Sequence, residues 1–169
     1  MPDYRRVRIP GGTYFFTVNL LERYPNDLLV RHIDALRESV RRVRRRYPFH
    51  IDAWVVLPDH LHAIWTLPEG DADYANRWRT IKQHFSRAIE STEYRSAVRM
   101  RRGERGIWQR RFWEHAIRDD RDFATHCDYV HINPVKHGYV ERTRDWPFST
   151  FSRFVEAGIY SEDWAVNPA

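Results

Sequence analysis

Hydrophobic positions recur along this chain with two different periods, and each change of period marks an element. "TYFFTVNL" (13–20) follows the turn signal Gly11-Gly12 and is rich in aromatic and β-branched residues, so it predicts a strand. From Leu29 to Tyr47, the apolar residues Leu29, Ile33, Leu36, Val40 and Val43 fall at helical spacing. Arg31, Arg37, Arg41, Arg42, Arg44, Arg45 and Arg46 occupy the other faces, and Pro48 ends this single predicted helix. "FHIDAWVVL" and "HLHAIWTL" are apolar runs joined through Pro58-Asp59, and they predict an antiparallel hairpin of two interior strands. Tyr74, Trp78, Ile81, Phe85 and Ile89 then return to helical spacing.

The remainder is less regular. Residues 93–106 carry Arg95, Arg99, Arg101, Arg102 and Arg105 with weak periodicity, which predicts a basic surface excursion. "IWQRRFWEHAI" (107–117) predicts a strand, and "DDRDFATHCDYVHIN" (119–133) a helix that opens on acids and closes before Pro134. From about residue 145 an aromatic-rich tail is left to pack on the rest. The order strand, helix, strand, strand, helix, strand, helix predicts an α+β fold, with helices on an antiparallel sheet. One domain spanning residues 1–169 accommodates a chain of this length.

Composition narrows the partners. Lysine and arginine number 28 against 23 acids, a formal charge of +5, which favours a phosphate-bearing partner. The single cysteine, Cys127, excludes an intramolecular disulfide and a thiolate-rich zinc site. With no apolar run resembling a signal peptide or membrane span, a reducing cytoplasm is the expected setting and no membrane partner is expected.

Candidate chemistry centres on "VVLPDHLHAIWTLP" (55–68). Alternation in a strand puts His60, His62, Ile64 and Thr66 on one face and Leu61, Ala63, Trp65 and Leu67 on the other. Two imidazoles on one face can converge on a divalent cation, but two ligands are too few, and the pair equally suits hydrogen bonding at a sheet end. The helix before Pro134 offers Tyr129 and Asn133, four residues apart and therefore on one helical face. They suit a nucleophilic oxygen and an amide ligand, or a half-buried tyrosine and a helix-terminating asparagine. His115, His126 and His131 are further candidates for a metal, His126 standing three residues before Tyr129 and His131 off that face.

"PDHLHAIWTLPEGD", "WQRRFWEHAIRD", "DYVHINPVKHGYV" and "DWPFSTFSRF", in this order, resemble the REP-associated tyrosine transposases, relatives of the single-tyrosine HUH transposases of bacterial insertion sequences. The likeness runs from "YRRVRIPGGTYFFTVNL" into the C-terminal tail. It implies a ferredoxin-like α+β core that binds REP-type palindromes as single-stranded DNA hairpins and cuts beside them. By the same resemblance His60 and His62 are catalytic metal ligands, Tyr129 is the nucleophile and Asn133 is the third ligand. The implied ion is Mg²⁺ or Mn²⁺, and the implied reaction is a transesterification that leaves a 5′-phosphotyrosine and a free 3′-OH. Arg110 departs from the pattern, standing where relatives often carry proline in "WQPRF", and residues 92–106 are longer than in compact members.

Arg5, Arg6, Arg8, Arg44, Arg45, Arg101 and Arg102 are candidate phosphate contacts, although a solvated helix face explains any one of them equally well. The resemblance implies a monomer, with a dimer possible as in insertion-sequence relatives, and a bacterial, nucleoid-associated cytoplasmic location. Two other functions fit less of the pattern: a DNA-binding regulator that does not need His60, His62 and Tyr129, and a metal-dependent hydrolase that activates water. Should Tyr129 not attack, Tyr139 and Tyr4 are the next phenols to consider.

Overall fold

A computed structural model describes residues 5–23, 25–91 and 95–165. Four strands, β1 (Thr13–Asn19), β2 (His50–Val56), β3 (His60–Thr66) and β4 (Trp113–Ala116), form one antiparallel sheet in the order β2-β3-β1-β4, which is the ferredoxin-like arrangement. The helices are α1 (Leu28–Arg31), α2 (Ile33–Arg46), α3 (Tyr74–Ala88), α4 (Ala97–Arg101), α5 (Asp120–Lys136) and α6 (Phe151–Glu156). None of them is long and apolar enough to cross a membrane.

Alternation along the strands builds two separate apolar layers. Tyr14, Phe16 and Val18 of β1 and Leu61, Ala63 and Trp65 of β3 pack with Leu36, Val40 and Val43 of α2 and Trp78, Ile81 and Phe85 of α3. Stacking of Trp65 on Trp78, with centroids 4.1 Å apart, locks α3 to the middle of the sheet. On the opposite face Phe15, Ala53, Val55 and Ile64 meet Cys127 and Val130 of α5 and Phe151 and Phe154 of α6. Because both faces are covered, "HLHAIWT" reads as a nearly continuous apolar run, and its two histidines lie inside the protein.

The sequence-based boundaries differ from the observed ones at four places. The helix expected over 29–47 is interrupted at His32 (φ −110°, ψ 35°) and becomes α1 and α2; the apolar spacing carries through the break and conceals it. Only β3 of the hairpin is interior, since β2 lies at the sheet edge. There the C-terminal segment completes the pairing: Val56 N–H donates to Phe148 O at 2.8 Å and Thr150 N–H to Trp54 O at 3.0 Å. The strand expected over 107–117 shrinks to β4, preceded by an isolated bridge between Leu20 and Trp108, because Gln109-Arg110-Arg111 has no inward-facing apolar position. Pro134 does not end α5, which continues to Lys136. Termination comes instead at Gly138 (φ +75°), whose N–H bonds to Val135 O at 2.9 Å.

His131 shows what burial on the α5 side costs. It is fully buried against Phe154 and Tyr160, with Nε2 2.8 Å from Thr150 Oγ1, and burial pushes its pKa down to about 4. The unfolded chain therefore takes up a proton at this histidine between about pH 6.5 and 4 that the folded state refuses. Folded stability is accordingly lost as pH falls through that window, by about 2 kcal/mol at pH 5 from this residue alone. Urea unfolding at pH 7 and pH 5 checks this: His131→Gln should flatten the pH dependence, and an unchanged pH difference in the variant would contradict it.

Candidate active site

The α5-facing side of the sheet brings the sequence-predicted chemistry together. His60 and His62 leave β3 on the same face, with ring centroids 5.1 Å apart and planes at 86°. They are 4% and 3% exposed. Across β1, Thr17 lies opposite His62 and places Oγ1 2.8 Å from His62 Nδ1. Asp59, in the turn before β3, accepts from His60 Nδ1 at 2.6 Å and is itself held by Arg23 Nε at 3.0 Å. Arg23 Nη2 also lies 3.2 Å from Nδ1, but the shorter contact is to a carboxylate, which can only accept, so His60 carries its proton on Nδ1 and leaves Nε2 with a free lone pair.

Tyr129 and Asn133 reach the same place from α5. The Tyr129 ring stands 5.2 Å from His62 and 5.8 Å from Phe15, and at 37% exposure it opens to solvent. Asn133 is fully buried; its Nδ2 donates to Tyr129 O at 2.5 Å, which leaves Oδ1 as its remaining polar atom. His62 Nε2 and Asn133 Oδ1 are both buried and face each other, and neither makes a hydrogen bond of ordinary geometry. Buried polar atoms are rarely left unpaired, and lone pairs of this kind suit a divalent cation.

Electrostatics keep the imidazoles neutral. Burial, then the neighbouring His60 and His137, pushes the His62 pKa down to about 3. Burial also lowers His60, partly offset by Asp59. For Asp59 burial acts upward, yet its hydrogen bonds from His60 and Arg23 outweigh that and hold the carboxyl below its ordinary value. Neutral imidazole is the form that binds metal.

Residues that sequence reasoning overlooked surround this core. Asp59 and Arg23 orient His60, and Thr17 orients His62. Lys136 puts Nζ 5.1 Å from the Tyr129 ring centre, and the exposed His137 ring lies 5.4 Å from His60. An acid directly before His60, and the basic pair one turn past Asn133, were the available signals.

The other candidates lie elsewhere. His131 faces Thr150 and Tyr160 on the far side of α5, while His115 and His126 gather around Asp122 near the start of that helix. Arg44 and Arg45 belong to α2, on the opposite side of the sheet from His60, where Arg44 donates to Phe49 O and Arg45 to Glu38. Arg6 is bound to Glu114 at 2.5 Å and covers the Phe112 ring. Arg5, Arg8, Arg101 and Arg102 are exposed. Tyr139 stacks on Trp146, and Tyr4 lies outside the described residues.

Comparison with known proteins gives this geometry a family. The REP-associated tyrosine transposase of Escherichia coli (strain K12) is 52% identical over 165 residues, covering 98% of this chain and 92% of that protein. A Haemophilus influenzae (strain ATCC 51907 / DSM 11121 / KW20 / Rd) protein assigned to the same group is 47% identical over 170 residues, covering 99% of this chain and 96% of its own length. Among solved structures, a REP-associated tyrosine transposase bound to a REP hairpin superposes with a TM-score of 0.85 at 52% identity, covering 98% of this chain and 92% of that one. No protein-family model matches the sequence. Relatives this close place the chain in the class of tyrosine transposases, enzymes that cleave DNA. Within that class it belongs to the REP-associated tyrosine transposase family.

Proposed function

We propose that this chain recognises a REP-type palindrome as a single-stranded hairpin and cuts the strand beside it, keeping the cut end covalently on Tyr129. One observation carries the reading: two buried, unpartnered ligand atoms, His62 Nε2 and Asn133 Oδ1, lie where the half-exposed Tyr129 ring meets the His60–His62 pair. An unsatisfied buried polar group costs about 1–3 kcal/mol, so an arrangement holding two of them makes sense when a third party completes it.

His60, His62 and Asn133 would hold a divalent ion, Mg²⁺ or Mn²⁺, which when bound withdraws charge from a phosphate oxygen. Tyr129 Oη forms the new bond to phosphorus while the bond from phosphorus to O3′ breaks. The phenolic proton passes to solvent and O3′ is protonated, leaving a 5′-phosphotyrosine and a free 3′-OH. Because one phosphodiester replaces another, strand joining can follow without a nucleotide cofactor. The Lys136 ammonium lies over the Tyr129 ring, 5.1 Å from its centre, a cation–π contact that helps hold the ring in place. Asp59 fixes the tautomer of His60, and Thr17 holds the His62 ring in place.

The exposed Arg5, Arg8, Arg101 and Arg102 are the proposed phosphate contacts. A hairpin REP oligonucleotide should therefore bind more tightly than the same sequence as perfect duplex, with affinity falling linearly on a log–log salt plot. Tyr129→Phe should bind the hairpin as the parent does. Equal affinity for hairpin and duplex across the salt titration would contradict hairpin recognition.

A further inference from the structure

A second group of ligating side chains stands on the same sheet face, with strand β1 between it and the His60–His62 pair. His115 of β4 lies opposite Phe15 of β1, and the Phe15 ring separates it from His62. Asp122 and His126 come from the first turns of α5, spaced i and i+4. The His115 and His126 rings stack at 4.6 Å and 15°, with the Asp122 carboxylate at their shared edge. Oδ2 lies 2.8 Å from His115 Nε2, and Oδ1 lies 3.1 Å from His126 Nδ1. One ligand atom from each of the three residues falls within 4.8 Å of the other two.

We propose that His115, Asp122 and His126 bind a second metal ion, of the Zn²⁺ class, that clamps β4 to the catalytic helix. Ligands around a tetrahedral Zn²⁺ sit about 3.4 Å apart at metal–ligand distances of about 2.1 Å, so a cluster within 4.8 Å needs its widest pair to close by at most about 1.4 Å. Two imidazoles with one carboxylate form the donor set of three-ligand zinc sites, which leave a fourth position to water. The nitrogen-rich set disfavours Mg²⁺, which prefers oxygen ligands, so the two sites would select different ions. Asp122 is preorganised: its Oδ2 accepts from Arg118 N–H at 2.9 Å, and its side chain is 9% exposed. All three residues are only partly buried, which gives an ion a way in. His126 Nδ1 donates to Asp122 O at 2.8 Å, a hydrogen bond that ligation through this nitrogen would replace. Tyr129 follows His126 by three residues, so fixing this turn to β4 also fixes the base from which the phenol projects.

The test does not depend on the nuclease reading, because it is run in a His60→Ala/His62→Ala protein that lacks the other imidazole pair. Co²⁺ serves as the optical probe. One equivalent should give the visible d–d absorption of a tetrahedral nitrogen–oxygen site, and Zn²⁺ at about 100 times its dissociation constant should raise the melting temperature by about 5 to 10 °C. Adding His115→Ala to this background should remove both responses. Asp122→Asn should do the same, and circular dichroism of each variant confirms that it is folded. Absence of Co²⁺ absorption in the double variant, or its survival after His115→Ala, would overturn the second site.

Discussion

Replacing either histidine of the β3 pair by alanine is expected to reduce strand cleavage by at least about 10³-fold, with EDTA matching the loss in the parent protein. Either change leaves two donors from the His60, His62, Asn133 set, too few to hold an ion against water. Folding should survive: His62→Ala costs the Nδ1 hydrogen bond to Thr17 Oγ1 and one ring, and it also relieves the desolvation cost of the buried Nε2. Asp59→Ala should have a smaller effect, about 10- to 100-fold, because it frees the His60 ring without removing the ligand. Cleavage of a labelled hairpin oligonucleotide across a metal titration checks the series. Added Mn²⁺ should restore Asp59→Ala substantially and His62→Ala hardly at all. Full activity of His62→Ala in metal-free buffer would contradict the metal assignment.

This gradient separates what the sequence reveals from what only the fold supplies. Alternation along "HLHAIWT" places His60 and His62 on one face and Leu61, Ala63 and Trp65 on the other, and the structure has this division. Helical spacing likewise puts Tyr129 and Asn133 on one side of α5, where the Asn133 amide reaches the Tyr129 carbonyl. Thr17 was invisible because its partner His62 is 45 residues away across a strand register that local pattern does not specify. Asp59 was legible only as a turn residue, although the same carboxylate also orients the first histidine. Pro134 misled for a different reason. A proline disfavours helix in the residue before it, yet here that residue is Asn133, fully buried and hydrogen-bonded into its own helix, and α5 runs on to the glycine that ends it. The edge position of β2 was also hidden, since the segment that covers it arrives from residues 148–150, nearly a hundred positions later.

The second large effect isolates the nucleophile. Tyr129→Phe removes one oxygen and keeps the ring that contacts Phe15 and His62, so packing, metal affinity and hairpin binding should all persist. Cleavage should fall below detection: Tyr139, the alternative phenol, reaches the site only through His137, stacks on Trp146 and has its pKa raised by burial. A water-activating hydrolase predicts substantial residual cleavage in this variant, and a binding-only regulator predicts none even in the parent.

The most direct measurement follows the scissile phosphate. A hairpin oligonucleotide labelled on its 3′ side and a second labelled on its 5′ side are incubated with the protein and run on a denaturing gel. Attack by Tyr129 predicts that the 3′-side label moves with the protein, that the 5′-side label leaves on a shorter free strand, and that Tyr129→Phe produces neither product. Cleavage without any protein-linked label, or a protein–DNA adduct that persists in Tyr129→Phe, would contradict the account.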